Sequence, residues 1–324
     1  MSTKRMASVS LDLDNQWSYM KIHGDAGWET FPSYLDAFVP HVLKALDALD
    51  LKITFFIVGQ DAALDKNRDY LQEIVYRGHE AGNHSFKHES WLHLYSKSEL
   101  EYEIRETEEH IYNVTGQRTI GFRGPGFSWC PDLLEILKVR GYLYDASTLP
   151  TYLGPIARMY YFWTAKLSKE EREERKGLFG KFKDGLRPVK PYIWKLNNSQ
   201  ELLELPVTTI PGIKTPFHLS YLLFLSGISD ALMNMYLTTA IQACKATGTE
   251  PSFLLHPLDL IGGDEVPELK FFPGMDISSA RKVEVFHHVM STLGKHFDLV
   301  DMSTHVRHIL DVKKDKLNER VPAI

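Results

Sequence analysis

Gly78-His-Glu-Ala-Gly-Asn-His84-Ser-Phe-Lys-His88 decides how this chain is read. Gly78 closes a helix expected from about Asn67 to Arg77, as glycine commonly does at a helix C-terminus. A short strand then carries the chain straight into two histidines four residues apart. Neutral imidazole is the commonest ligand of first-row divalent metals. The His-x-x-x-His spacing lets both rings converge on one ion when the segment turns helically at a strand end. Two histidines fall four apart by chance in many chains, and there are fourteen here. A reactive metal also needs an oxygen ligand from elsewhere.

Residues 6–14 offer one. From Val9 onward, Val9, Leu11 and Leu13 alternate with Ser8, Ser10, Asp12 and Asp14, which is the period of a strand. Asp12 and Asp14 then share one face near its C-terminal end. A half-exposed edge strand with solvated carboxylates is one reading. Against it, aspartate is a poor strand former, and two like charges on one face repel unless a cation compensates them.

Farther out, strand and helix keep alternating. A loop spans Gln16 to Trp28, and a helix is expected from about Pro40 to Asp50. Lys52 to Gly59 reads as a buried strand. Ser96-Lys-Ser-Glu99 is a capping box opening a helix that Gly116 closes. Strands are expected at Thr119–Arg123, Tyr142–Asp145, Leu202–Thr209, Ser252–His256 and Phe297–Asp301. Helices are expected from Pro131 to Gly141, from about Ser229 to Ala246 and from Ser278 to His296. The alternation implies parallel βαβ units and an α/β fold. Asp12, Asp14, His84, His88, Arg123, Asp145 and His256 all fall at C-terminal strand ends or just past them. In a (β/α) barrel that is the active-site face.

The totals exclude several classes. At 324 residues, 44% hydrophobic and 24% charged, the chain is long enough for a sizeable core. A net charge of −5 provides no global basic field for nucleic acid. Cys130 and Cys244 form no CxxC, so neither a disulfide framework nor a thiolate metal site is indicated. The start has no signal-peptide pattern, and no apolar run reaches the ~18 residues of a membrane span. The expected location is the cytoplasm.

Ser10-Leu-Asp-Leu-Asp14, Asn83-His-Ser-Phe-Lys-His88, Phe122-Arg-Gly-Pro-Gly-Phe127, Tyr144-Asp145 and Leu254-Leu-His256 together resemble, in order and spacing, the five motifs of the NodB-type polysaccharide deacetylases, carbohydrate esterase family 4. The resemblance implies a distorted (β/α) barrel of about seven parallel strands, filling residues 1–310 as one catalytic domain, with 311–324 as a charged C-terminal tail. It implies Asp14, His84 and His88 as ligands of one divalent ion. Zinc is the first choice, with cobalt, manganese, iron or nickel as alternatives. It also implies Asp12 as general base, His256 as general acid, Arg123 as the residue orienting the base and Asp145 as the partner of His256. No organic cofactor is expected. The chemistry is coherent: the ion acidifies water and polarises the carbonyl, the carboxylate takes a proton, and a histidinium protonates the departing amine. A backbone N–H near Gly126 would help hold the oxyanion. Read singly, Arg123 fits a structural ion pair, Asp145 a loop cap and His256 a core histidine.

The implied activity is removal of an N-acyl group, acetyl first, from an amino sugar or sugar derivative. The alternatives are hydrolysis of a non-sugar linear or cyclic amide or imide, and a catalytically silent carbohydrate-binding barrel. Two departures bear on substrate: Leu13 separates the usually adjacent aspartates, and the fourth motif lacks its tryptophan. Both point away from a polymeric substrate and leave the metal site intact. Residues 151–200 interrupt the alternation with eleven Lys and Arg against five Asp and Glu. They concentrate Tyr160, Tyr161, Phe162, Trp163, Phe179 and Phe182 beside Lys181, Lys183 and Arg187. One reading is a solvated lid. The other is a surface for an anionic lipid-linked or phosphate-bearing substrate, peripheral to a membrane, or for a second copy of the chain.

Overall fold

The computed structural model describes residues 4–153, 182–312 and 314–322. Its strands are β1 (Arg5–Leu13), β2 (Thr54–Ile57), β3 (Glu80–Asn83), β4 (Gly121–Phe122), β5 (Tyr144–Asp145), β6 (Tyr192–Lys195), β7 (Glu201–Glu204), β8 (Ser252–Leu255), β9 (Phe297–Val300) and β10 (Asn318–Arg320). The described helices are α1 (Gln16–His23), α2 (Leu35–Asp47), α3 (Gly59–Ala62), α4 (Arg68–Tyr76), α5 (Lys97–Thr115), α6 (Pro131–Val139), α7 (Leu219–Ile228), α8 (Asp230–Thr247), α9 (Ser279–Gly294) and α10 (Met302–Val312). The strands form one sheet in the order β10-β6-β7-β5-β4-β3-β2-β1-β8, and β9 also pairs with β1. Every described pairing is parallel except β6 with β7. The expected α/β architecture is therefore present. No strand ladder joins β7 to β8 among the described residues. The chain just past β7 instead touches β8, through Thr208 N–H donating to Ser252 C=O at 3.0 Å and Ser252 N–H donating to Thr208 Oγ1 at 2.7 Å.

Period-two patterning separates the two faces. Phe55 and Ile57 point with Val9 and Leu11 into the large core under α2, α8 and α9. Phe56 points the other way and packs with Tyr144, Leu203, Leu205 and the terminal helix residues Met302, Val306 and Ile309. β1 is consequently central, and Ala7 to Leu13 are all buried. The half-exposed edge-strand reading of residues 6–14 fails for that reason.

Two local expectations need correction. The segment after Asp14 is the helix α1 rather than a loop. Asn15 caps it, its side chain accepting from Gln16 N–H. Pro40 lies inside α2 instead of opening it. The apolar stripe Leu35, Phe38, Val39, Val42, Leu43 and Leu46 buries against the core, and tertiary packing overrides the proline signal. By contrast, the Ser96–Glu99 capping box and the left-handed Gly116 close α5 as its sequence suggests. Alternating patterns did not reveal β6 and β10. β10 pairs with β6, so residues 318–320 lie at the sheet edge. Tyr160, Tyr161, Phe162, Trp163, Phe179 and Lys181 of the basic insert lie outside the described residues, as do the side chains of Phe182 and Lys183.

Gly82 of β3 faces the Phe56 ring, where a Cβ would stand 2.5 Å from Cδ1. The Arg123 guanidinium lies 4.4 Å from the centre of the same Phe56 ring. Gly82→Ala should therefore destabilise the protein by about 1–3 kcal/mol through overpacking, read as a lower urea midpoint at unchanged slope. A midpoint equal to wild type would show that Phe56 moves aside freely.

Candidate metal centre

Strand register builds this site before any side chain is considered. Leu13, Ile57, Asn83, Phe122, Asp145 and Glu204 are successive partners across the sheet. The next residue on three of these strands is Asp14, His84 or Arg123, so one step past the ladder places all three at one level. Leu11 pairs with Leu255, and the same step brings His256 level with Asp12. His88 joins them because the chain turns sharply after β3, with Ser85 and His88 both at positive φ.

Asp14, His84 and His88 are brought together with their ligand atoms within 4.8 Å of one another. Asp14 Oδ1 lies 2.8 Å from His88 Nε2 and 3.5 Å from His84 Nε2. That oxygen is buried and has no hydrogen-bond partner. His84 Nδ1 lies 2.7 Å from the Arg123 carbonyl, which can only accept, so Nε2 is left as the lone-pair nitrogen facing Asp14. Burial would raise the Asp14 pKa, but the facing His88 and His84 rings hold it far below the usual carboxylate range. Two imidazole nitrogens and one orphaned carboxylate oxygen aimed at a common point suit a first-row divalent ion.

The junction of β1 and α1 is pinned independently. Buried Asp61 Oδ1 accepts from Asn15 Nδ2 at 2.7 Å and from Trp17 Nε1 at 3.0 Å. Burial pushes Asp61 up to about 7 despite these donors. The hydroxyl of Tyr34 donates to the Asp14 carbonyl.

Asp12 and Arg123 form a buried pair, Nη1 to Oδ1 at 2.7 Å. Nη1 also donates to Ser10 Oγ at 2.9 Å, and Nε to the Ala146 carbonyl at 3.1 Å. His256 projects into the same cavity of about 360 Å³, which Asp12, Asp14, His84 and His88 also line. Burial would lower the His256 pKa, but the adjacent Asp259 carboxylate, with Asp12 and Asp14 beyond, raises it to about 9. Next to it, burial and the His256 charge push His218 down to about 4.

The carboxylate beside His256 is therefore Asp259, with Oδ2 3.7 Å from His256 Nδ1 and accepting the His256 backbone N–H at 2.8 Å. Asp145 does not take that place. Its Oδ1 accepts from Ser147 Oγ at 2.5 Å, and Ser147 Oγ accepts the N–H of Gly124 at 2.8 Å. It thus supports the Arg123 loop. Its neighbour across the ladder is Glu204, and burial pushes both acids up. The sequence did hold a signal for Asp259: in His256-Pro-Leu-Asp259 an acid three residues after a helix N-cap reaches back to the cap N–H. Gly126 lines the cavity at φ +59.

Other wall residues had no sequence signal. Tyr19 packs edge-on against Phe272, ring centres 5.0 Å apart. Lys21 Nζ pairs with Glu89 Oε1 at 2.5 Å and lies 4.8 Å from the Trp28 ring centre. Tyr19, Lys21, Glu89 and Phe272 all line the cavity.

Residues 22–144 match the family model described as polysaccharide deacetylase. That span contains His84, His88 and Arg123 and ends before Asp145. A curated peptidoglycan deacetylase of Helicobacter pylori is 28% identical over 117 residues, 36% of this chain and 39% of its own length. The peptidoglycan-N-acetylglucosamine deacetylase of Bacillus cereus is 31% identical over 88 residues, 27% of this chain and 31% of its own length. The chain thus covers less than two fifths of the length of these relatives. A crystal structure of a candidate polysaccharide deacetylase from Mycobacterium smegmatis aligns over 100% of this chain and 96% of its own, with TM-score 0.61 and 16% identity. The structure of Puue allantoinase aligns over 97% and 93%, with TM-score 0.57 and 16% identity. These two likenesses concern the fold alone.

His84→Ala should abolish divalent-metal binding while wild type holds it stoichiometrically, as read by elemental analysis of purified protein. Equal metal in both would remove His84 from the ligand set.

Proposed function

We propose that this chain, a relative of the NodB-type polysaccharide deacetylases by its family match and its fold, is a metal-dependent hydrolase that removes an N-acyl group, acetyl first, from an amino sugar or sugar derivative. The observation that carries the reading is the pairing of a buried Asp12–Arg123 couple with a His256–Asp259 couple around the Asp14, His84 and His88 cluster. A carbohydrate-binding barrel has no need of both a proton acceptor and a proton donor at one cavity.

A divalent ion held by Asp14, His84 and His88, zinc first, would supply Lewis acidity to a water and to the scissile carbonyl. Asp12 lies in reach of that cavity, and Arg123 fixes its carboxylate, so Asp12 takes the proton as the nucleophile attacks. His256, held protonated at neutral pH by Asp259, gives its proton to the amine as the C–N bond breaks. The same two couples would serve a small non-sugar amide or imide. The aromatic and aliphatic wall of Tyr19, Trp91, Phe127, Phe272 and Leu258 favours that second reading. The cytoplasm remains the proposed location, with the basic insert 151–200 meeting a lipid-linked or phosphate-bearing substrate. No described helix is long and apolar enough to cross a membrane.

A panel of N-acetylated amino sugars, lipid-linked sugars, peptidoglycan fragments and cyclic imides, scored for released acid or amine, tests the assignment. Release from none of them would sink it, and release from imides alone would select the second reading. On the substrate so found, Asp12→Asn and His256→Ala should each lower turnover by about 10²–10⁴-fold with metal content retained.

The pH profile follows from the same groups. A general acid must be protonated, and the His256 pKa is raised to about 9. Activity should therefore persist through neutral pH and fall as pH rises through about 9. Asp259→Asn should shift that fall to lower pH, because the charge that stabilises the imidazolium is gone. An unmoved basic limb in Asp259→Asn would assign the limb to another group.

A further inference from the structure

His256 reaches the cavity on a turn that a buried cation holds from behind. Lys282 lies near the start of α9 with 1% of its surface exposed. Its ammonium donates to the carbonyl of Leu258 at 2.6 Å and to that of Ile261 at 2.9 Å, with Met275 Sδ at 3.5 Å. Within the turn, the His256 carbonyl accepts from Asp259 N–H, and the Pro257 carbonyl accepts from Leu260 and Ile261 N–H. The Leu258 and Ile261 carbonyls instead converge on one nitrogen.

The helix grips the same segment a second time. Ser279 Oγ accepts the Gly262 N–H at 2.8 Å, and Asp264 Oδ1 accepts from both the N–H and the hydroxyl of Ser279. A Cβ on Gly262 would stand 2.3 Å from the Ile277 carbonyl oxygen, so only glycine allows this approach.

An ammonium out of water is costly unless its protons are used. Burial lowers Lys282 to about 8, with Asp259, Asp264 and Asp276 opposing the shift. An apolar side chain would fill the same space without that cost, yet would leave two buried carbonyls unpaired.

We propose that Lys282 is a positioning residue: by holding the Leu258 and Ile261 carbonyls it fixes the turn carrying Asp259, and through Asp259 the aim of His256. This rests on the reading of His256 as general acid. A merely structural lysine would stabilise the whole protein and leave the folded enzyme's turnover alone.

Lys282→Met and Lys282→Arg in the full chain separate the two. Amide hydrogen exchange followed by mass spectrometry should show peptides covering 257–262 exchanging about tenfold faster in Lys282→Met. Peptides from β1 and β3, and metal content, should match wild type. With the N-acetylated amino sugar that wild type turns over, kcat should fall about tenfold or more while KM stays within about twofold. Lys282→Arg, which keeps the cation, should restore part of both. Unchanged exchange at 257–262, a uniform rise across all peptides, local exchange with unchanged kcat, or failure of both variants to fold would each overturn the proposal. Exchange needs no substrate. If wild type hydrolyses nothing on the panel while 257–262 loosens selectively, the function reading fails and the clamp on the turn stands.

Discussion

One buried cation ties the sheet to its chemistry. The Arg123 guanidinium bonds Asp12 and Ser10 of β1 and the Ala146 carbonyl after β5, stacks on Phe56 of β2, and lies 3.6 Å from Met302 Sδ of α10. Arg123 itself follows β4, so five elements meet at one side chain. It is fully buried, and removing one partner of such a pair typically costs about 3–5 kcal/mol because a charge is left behind. An apolar core could fill that space at lower cost. The pair therefore makes sense as the support of a carboxylate that must remain oriented beside the cavity.

The same residue reaches the candidate metal centre by its backbone. Its carbonyl fixes His84, while its side chain fixes Asp12. One loop thus sets both a candidate ligand and the proposed base. Asp145 and Ser147 hold that loop through the Gly124 N–H, with Glu204 packed beside Asp145. On the opposite side of the cavity, His256 and Asp259 hang from a turn gripped by α9. The two couples are built on different elements: pairing of β1 with β8 sets His256 level with Asp12, and Arg123 reaches Asp12 from beyond β4.

Much of this was legible in the chain itself. The alternation of strand and helix, the capping box at Ser96, and the placing of Asp12, Asp14, His84, Arg123 and His256 at strand ends all follow from local periodicity and spacing. Those patterns are local, so local physics suffices to read them. The helix after Asp14 and the true start of α2 depend on tertiary contacts, the hydrogen bond of Trp17 to Asp61 and the burial of the Leu35–Leu46 stripe in the core, which outweighs the proline signal. β6 falls within the insert and β10 pairs with it at the sheet edge, where pairing with a neighbour sets the strand more than any alternation does.

The partner of His256 marks the boundary between the two kinds of knowledge. Sequence order and family spacing pointed to Asp145, while folding puts Asp259 there and turns Asp145 toward Ser147 and Glu204. Sequence fixes which residues end each strand, because side-chain direction alternates with a period of two. Only the curvature of the sheet, its register and the packing of α9 and α10 decide which of those ends face one another. Such contacts join residues more than a hundred positions apart, as Asp12 and Arg123 do, and no local pattern encodes them.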